Sequence, residues 1–198
     1  MRDFNVQEFY QPNFDGEEEP LFNSPLTLEK ACFAYEASGS FQVLKTLFEY
    51  GLKASDNDGW GNVLQYYIMQ GGKNEEVIAL LLKNQAHFED YGKDGLNLLH
   101  RLAEREEIQK LKVVLKYGAN IDSPTRIQLN DKTFLKKTPL MIAVLMKAKI
   151  STIEQLLLLG ANINATTHFK SVLDMATSQE MISFLKEKGG KSYKELFA

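Results

Sequence analysis

An apolar pattern that returns at near-constant spacing constrains this chain more than any other feature. Ile108, Leu111, Val114 and Leu115 occupy positions i, i+3, i+6 and i+7, which lie along one side of a helix with about 3.6 residues per turn. The same pattern recurs at Phe41, Leu44, Leu47 and Phe48, at Ile150, Ile153, Leu156 and Leu157, and, with one polar lapse, at Glu75, Ile78, Leu81 and Leu82. Successive sets are offset by 34, 33 and 42 residues. Short helices with one apolar stripe bury it by stacking, so the period predicts a row of similar helical units.

The ends of these helices repeat as well. They stop at Tyr50-Gly51, Gln85-Ala86, Tyr117-Gly118-Ala119-Asn120-Ile121 and Leu159-Gly160-Ala161-Asn162-Ile163, and glycine reaches the left-handed conformation that closes a helix at little cost. Upstream of each lies a shorter helix. One is opened by Asn97-Leu98-Leu99-His100 and another by Thr138-Pro139-Leu140-Met141-Ile142-Ala143, where threonine caps the helix and proline is tolerated at its first position.

Thr-Pro-Leu-x-x-Ala, a leucine-rich helix and Gly-Ala-Asn-Ile on a period near 33 resemble the ankyrin repeat. The resemblance implies an all-α fold, an ankyrin-repeat solenoid of stacked helix-turn-helix units with hairpin-like fingers. Five repeats are expected, at about 25–54, 55–88, 89–121, 122–163 and 164–191. They follow an acidic lead at 1–24, expected to be partly disordered, and precede a short tail at 192–198. The first repeat is expected to have a long first helix over 26–37, and the first and last repeats to act as caps. The pattern departs from the family where Gln85 and Glu106 replace glycines and where Tyr67 stands near an alanine position. The 42-residue offset comes from 123–137, about eight residues longer than the usual finger. Insertions in repeat arrays fall on one face and often serve binding.

Composition limits what such a chain does. Its net charge of −3 gives no general attraction to phosphate backbones or anionic membranes, so neither nucleic acid nor a membrane is an expected partner. The lead carries −5 and the 123–137 insertion +3. Cys32 is the only cysteine, which rules out an intrachain disulfide and a cysteine-cluster zinc site, fits a reducing compartment, and reads as a small apolar helix residue. With no signal-like leader or long apolar run, a cytoplasmic protein is expected.

Chemistry-bearing constellations are absent at sequence level. His87, His100 and His168 are scattered and share no helical metal-site spacing. His100 falls at the histidine position of the family motif, where the resemblance implies a hydrogen-bonding role in the turn. Gly59-Trp60-Gly61 and Gly71-Gly72 read as turns, and Glu104, Glu106 and Glu107 as a solvated charged face. No catalytic residue, metal or cofactor is expected.

The resemblance implies that fingers and first helices hold a partner. Register names Trp60 in the second repeat, Tyr91, Lys93, Asp94, Leu96, Glu104, Arg105 and Tyr117 in the third, Arg126, Phe134 and Lys137 in the insertion, and His168 and Phe169 in the next finger. Aromatic side chains often dominate interface energy, although each of these rings has the alternative of packing on its own finger. Phe88 matches Ile121 and Ile163 in register and is expected in the core. The basic, partly apolar insertion either contacts an acidic partner, covers its own apolar side chains, or meets the acidic lead. The expectation is a monomeric, non-catalytic adaptor for a protein or peptide. The alternative is a microbial or viral effector that engages a host protein, to which the 19 lysines against four arginines point through an AT-rich genome.

Overall fold

The structure, a computed structural model, describes residues 10–12, 18–20, 48, 53–57, 59–130 and 133–198. The expected helix over 26–37, Cys32 and most of the expected first repeat lie outside the described residues, as do Asp58, Asp131 and Lys132. The chain divides into two compact units, Met1–Asp90 and Tyr91–Ala198. Each is described by itself.

In the first unit, strands β1 (Tyr10–Pro12) and β2 (Glu18–Pro20) pair antiparallel. Helices α1 (Val63–Met69) and α2 (Glu75–Lys83) pack as a pair. Asn62 opens α1 with a capping box: its side chain accepts from the Gln65 amide, and the Gln65 side chain accepts from the Asn62 amide. Asn74 caps α2. Leu64, Tyr67, Ile68, Ile78 and Leu81 are wholly buried, and Phe88 joins this core. Tyr67 fits where a small residue is usual because Gly72 leaves the room: a Cβ on Gly72 would come within 2.3 Å of the Tyr67 ring. The phenol oxygen of Tyr67 accepts from the Asn74 amide.

The second unit repeats the theme three times. Its helix pairs are α3 (Leu98–Glu104) with α4 (Ile108–Lys116), α5 (Pro139–Leu145) with α6 (Ile150–Leu158), and α7 (Val172–Met175) with α8 (Gln179–Glu187). First helices stack on first helices, α3 on α5 and α5 on α7, while α4 packs on α6. Asn97, Thr138 and Ser171 cap the first helices at one register. The second helices end at Gly118, Gly160 and Gly189, all at positive φ. A final turn of helix, α9 (Tyr193–Leu196), is opened by a Ser192–Glu195 capping box.

Burial is narrower than the four-point stripe expected from sequence. Leu111, Val114, Ile153 and Leu156 are buried, whereas Ile108, Leu115 and Leu157 are half-buried, because these helices meet neighbours along one line only. The described residues are mostly helical, and the all-α expectation needs amending for short two-stranded ladders: β3 (Ile127–Asn130) with β4 (Thr133–Leu135), and β5 (Thr166–Thr167) with β6 (Lys170–Ser171).

Candidate functional site

The residues named by register sit mainly in the segments that lead into first helices. Trp60, in the first unit, follows Gly59 in a turn held by the Gly59 amide donating to Asn57 Oδ1 at 2.8 Å, and its side chain is exposed.

The second unit brings the 91–96 loop against the start of the insertion. The Gly92 amide donates to Leu96 O, and the Arg126 amide donates to Gly95 O at 2.8 Å. Gly95 cannot be larger, since a Cβ there would lie 2.6 Å from the Arg126 backbone. Tyr91 donates its phenol proton to Pro124 O at 2.7 Å, and the Arg126 guanidinium lies 4.3 Å from its ring centroid. Tyr91 is therefore half-buried and internally bonded, an anchor for the insertion as well as a finger aromatic. Asp94 pairs with Arg101 at 3.1 Å and accepts the Leu96 amide. Lys93 and Arg105 are exposed, whereas Leu96 and Glu104 are half-buried. Tyr117 caps the C-terminus of α4, on the second helix of its pair rather than the first.

The insertion is clamped at its base by Thr125, itself almost wholly buried. The Thr125 hydroxyl donates to Leu135 O at 2.6 Å and accepts from the Lys137 amide at 3.0 Å, and the Thr125 amide donates to Lys137 O. The same Lys137 carbonyl lies 3.0 Å from His100 Nε2. The Asn97 amide donates to His100 Nδ1 at 3.2 Å, and burial pushes the imidazole pKa down to about 4. From this base β3 and β4 run outward with Leu129 47% and Phe134 48% exposed. Two apolar side chains of the hairpin thus face solvent.

The β5–β6 ladder closes through His168 and Phe169, both at positive φ, 44° and 62°. A two-residue turn with two left-handed positions favours Asn-Gly, and each non-glycine residue there costs on the order of 1 kcal/mol. Phe169 is nevertheless 73% exposed. The Lys136 amide donates to Thr167 Oγ1 at 3.0 Å, so the base of the hairpin meets this turn. Between them and α9 lies a groove of about 320 Å³ that includes Phe134, Lys136, His168, Phe169, Tyr193 and Phe197. The rings support each other: Phe169 meets Tyr193 edge-on at 5.7 Å, and Tyr193 lies 4.6 Å from Phe197.

Tyr193 and Phe197 are absent from the residues named by register, because they lie in the short tail beyond the last expected repeat. The only signal was two aromatics four residues apart after a serine. Glu106 also departs from the solvated role expected of it. Its carboxylate accepts the Lys149 amide at 3.1 Å and the Thr152 hydroxyl, tying the α3–α4 turn to the start of α6, and these hydrogen bonds, the Thr152 one foremost, hold its pKa below the usual carboxylate range. Glu107 pairs with Lys110.

Among the described residues no group of three or more His, Cys, Asp or Glu side chains could hold a metal ion. No helix among them is long and apolar enough to cross a membrane. The family model described as ankyrin repeats, in three copies, matches residues 64–167. No curated protein matches the chain.

Proposed function

Because the chain belongs to the ankyrin-repeat family, whose repeats are generally protein-protein interaction modules, we propose that it is a non-catalytic binding module or adaptor. In the Tyr91–Ala198 unit the partner is held by the segments that precede the first helices, with the 123–137 hairpin and the His168–Phe169 turn foremost. Trp60 supplies a contact in the other unit. The finer details of five repeats at the boundaries given above, and of a cytoplasmic location, belong to the same reading.

The observation that carries it is Phe169. Burying a phenylalanine stabilises a protein by about 2 kcal/mol, yet this ring is 73% exposed on a strained turn. The fold gains little from it there, whereas an interface would gain much. An effector directed at a host protein would use the same surface, and the excess of lysine over arginine is the one support for that version.

Photo-crosslinking tests the reading. A benzoylphenylalanine at Phe134 or Phe169 should trap a protein partner in extracts of the source cells, while one at Leu158 on α6, as exposed as Phe169, should not. Crosslinks from Leu158 alone, or from none of the three, would refute it.

A further inference from the structure

We propose that the groove between the β3–β4 hairpin, the His168–Phe169 turn and α9 takes an acidic peptide that carries an aromatic or large apolar anchor. This rests on the protein-binding reading and goes beyond it by naming the ligand chemistry and by adding α9, which belongs to no finger.

The apolar half of the argument is the clustering. Phe134, Phe169 and Phe197 are 48%, 73% and 65% exposed around one groove of about 320 Å³, where a folded chain without a partner has little reason to gather bare rings. Tyr193 holds two of them in place, edge-on to Phe169 and beside Phe197. The pocket is thus formed before a ligand arrives, which lowers the ordering cost of binding.

The charged half is a local excess of lysines over carboxylates. Lys136 borders the groove, Lys170 follows the turn and Lys194 lies on α9, all exposed. Lys136 and Lys194 make no ion pair among the described residues. The carboxylates close by are engaged in the backbone: Asp174 accepts the Ser171 amide and hydroxyl and the Tyr193 amide, at 2.9, 3.0 and 2.7 Å. Glu195 accepts the Ser192 amide and hydroxyl at 2.7 and 2.6 Å. Positive charge on exposed side chains beside packed rings suits glutamate or aspartate flanking an aromatic residue. Rings and lysines also suit single-stranded nucleic acid, but the two fixed carboxylates beside α9 oppose a continuous phosphate backbone, and a peptide can place its charges around them.

Fluorescence anisotropy with the full chain tests this, using a short fluorescein-labelled peptide in which glutamate and phenylalanine alternate. The peptide should bind, and added salt should weaken it. Replacing its glutamates with lysine, or its phenylalanines with alanine, should abolish binding. Phe169→Ala and Lys136→Glu should each weaken binding by roughly tenfold or more, with thermal melts like the parent's to show that both variants fold, and Leu158→Ala should bind as the parent does. Absence of binding, binding as tight as the parent's by either groove variant, or displacement by a tighter-binding oligothymidylate would overturn the proposal. If Phe134 and Phe169 still crosslink a protein while the acidic peptide fails, the protein-binding reading stands and this assignment falls.

Discussion

Gln85 leaves α2 at a φ of 68°, the conformation that Gly118, Gly160 and Gly189 supply after the other second helices. A side chain in the left-handed region costs on the order of 1 kcal/mol relative to glycine. Gln85→Gly is therefore expected to raise stability by about 1 kcal/mol, read as a higher denaturant midpoint with an unchanged slope. The same reasoning applied to His168 and Phe169 gives a sharper forecast. On the proposed binding role of the ring, replacing the pair with Asn-Gly should stabilise the chain by about 1–2 kcal/mol while weakening the partner crosslink made from a probe at Phe134. The sequence showed both positions, since the period aligns them with glycines or finger residues elsewhere. It did not show that Tyr91 bonds Pro124 and lies under Arg126. That contact depends on where the insertion begins in space, and the extra residues that make the insertion visible also blur its register.

At the level of elements, the caps carry the repeat. Asn62, Asn97, Thr138 and Ser171 open the first helices, and the second helices α4 and α6 lack a side-chain cap of their own. For α6 the deficit is met from the neighbouring repeat by Glu106. Glu106→Ala is expected to destabilise the chain by about 1 kcal/mol, comparable to losing a helix cap. Glu106→Gly should cost less, because it relieves the backbone at φ 59° while losing the same bonds; equal losses measured by chemical denaturation would contradict this balance. The tether was illegible in the sequence, where three nearby glutamates look alike and only stacking distinguishes the one that faces the next repeat. α9 was missed for a related reason. One turn of helix has no period to detect, and Tyr193 and Phe197 gain meaning only from the Phe169 ring beside them.

For the molecule as a whole, the buried network around His100 couples repeat stacking to pH. With a folded pKa of about 4 against 6.5 when exposed, the unfolded chain takes up the proton first as pH falls. The stabilisation present above about pH 6.5 is thus lost progressively down to pH 4, by on the order of 3 kcal/mol at most. Carboxylates such as Glu106, whose folded pKa is lowered, add losses at the acid end, so a variant must isolate the histidine. Gln65 occupies the same capping-box position in α1, which makes His100→Gln the natural choice. Its stability should vary less between pH 4 and 6.5 than the parent's, and an identical pH dependence would remove His100 from the account. The most direct test of the central claim, that the finger side of the second unit holds a protein partner, is amide hydrogen exchange on the chain with and without its crosslink-identified partner. Slowed exchange at 127–137, 166–171 and 193–197, with α4 and α6 unchanged, is the predicted result. Protection confined to α4 and α6 would contradict it.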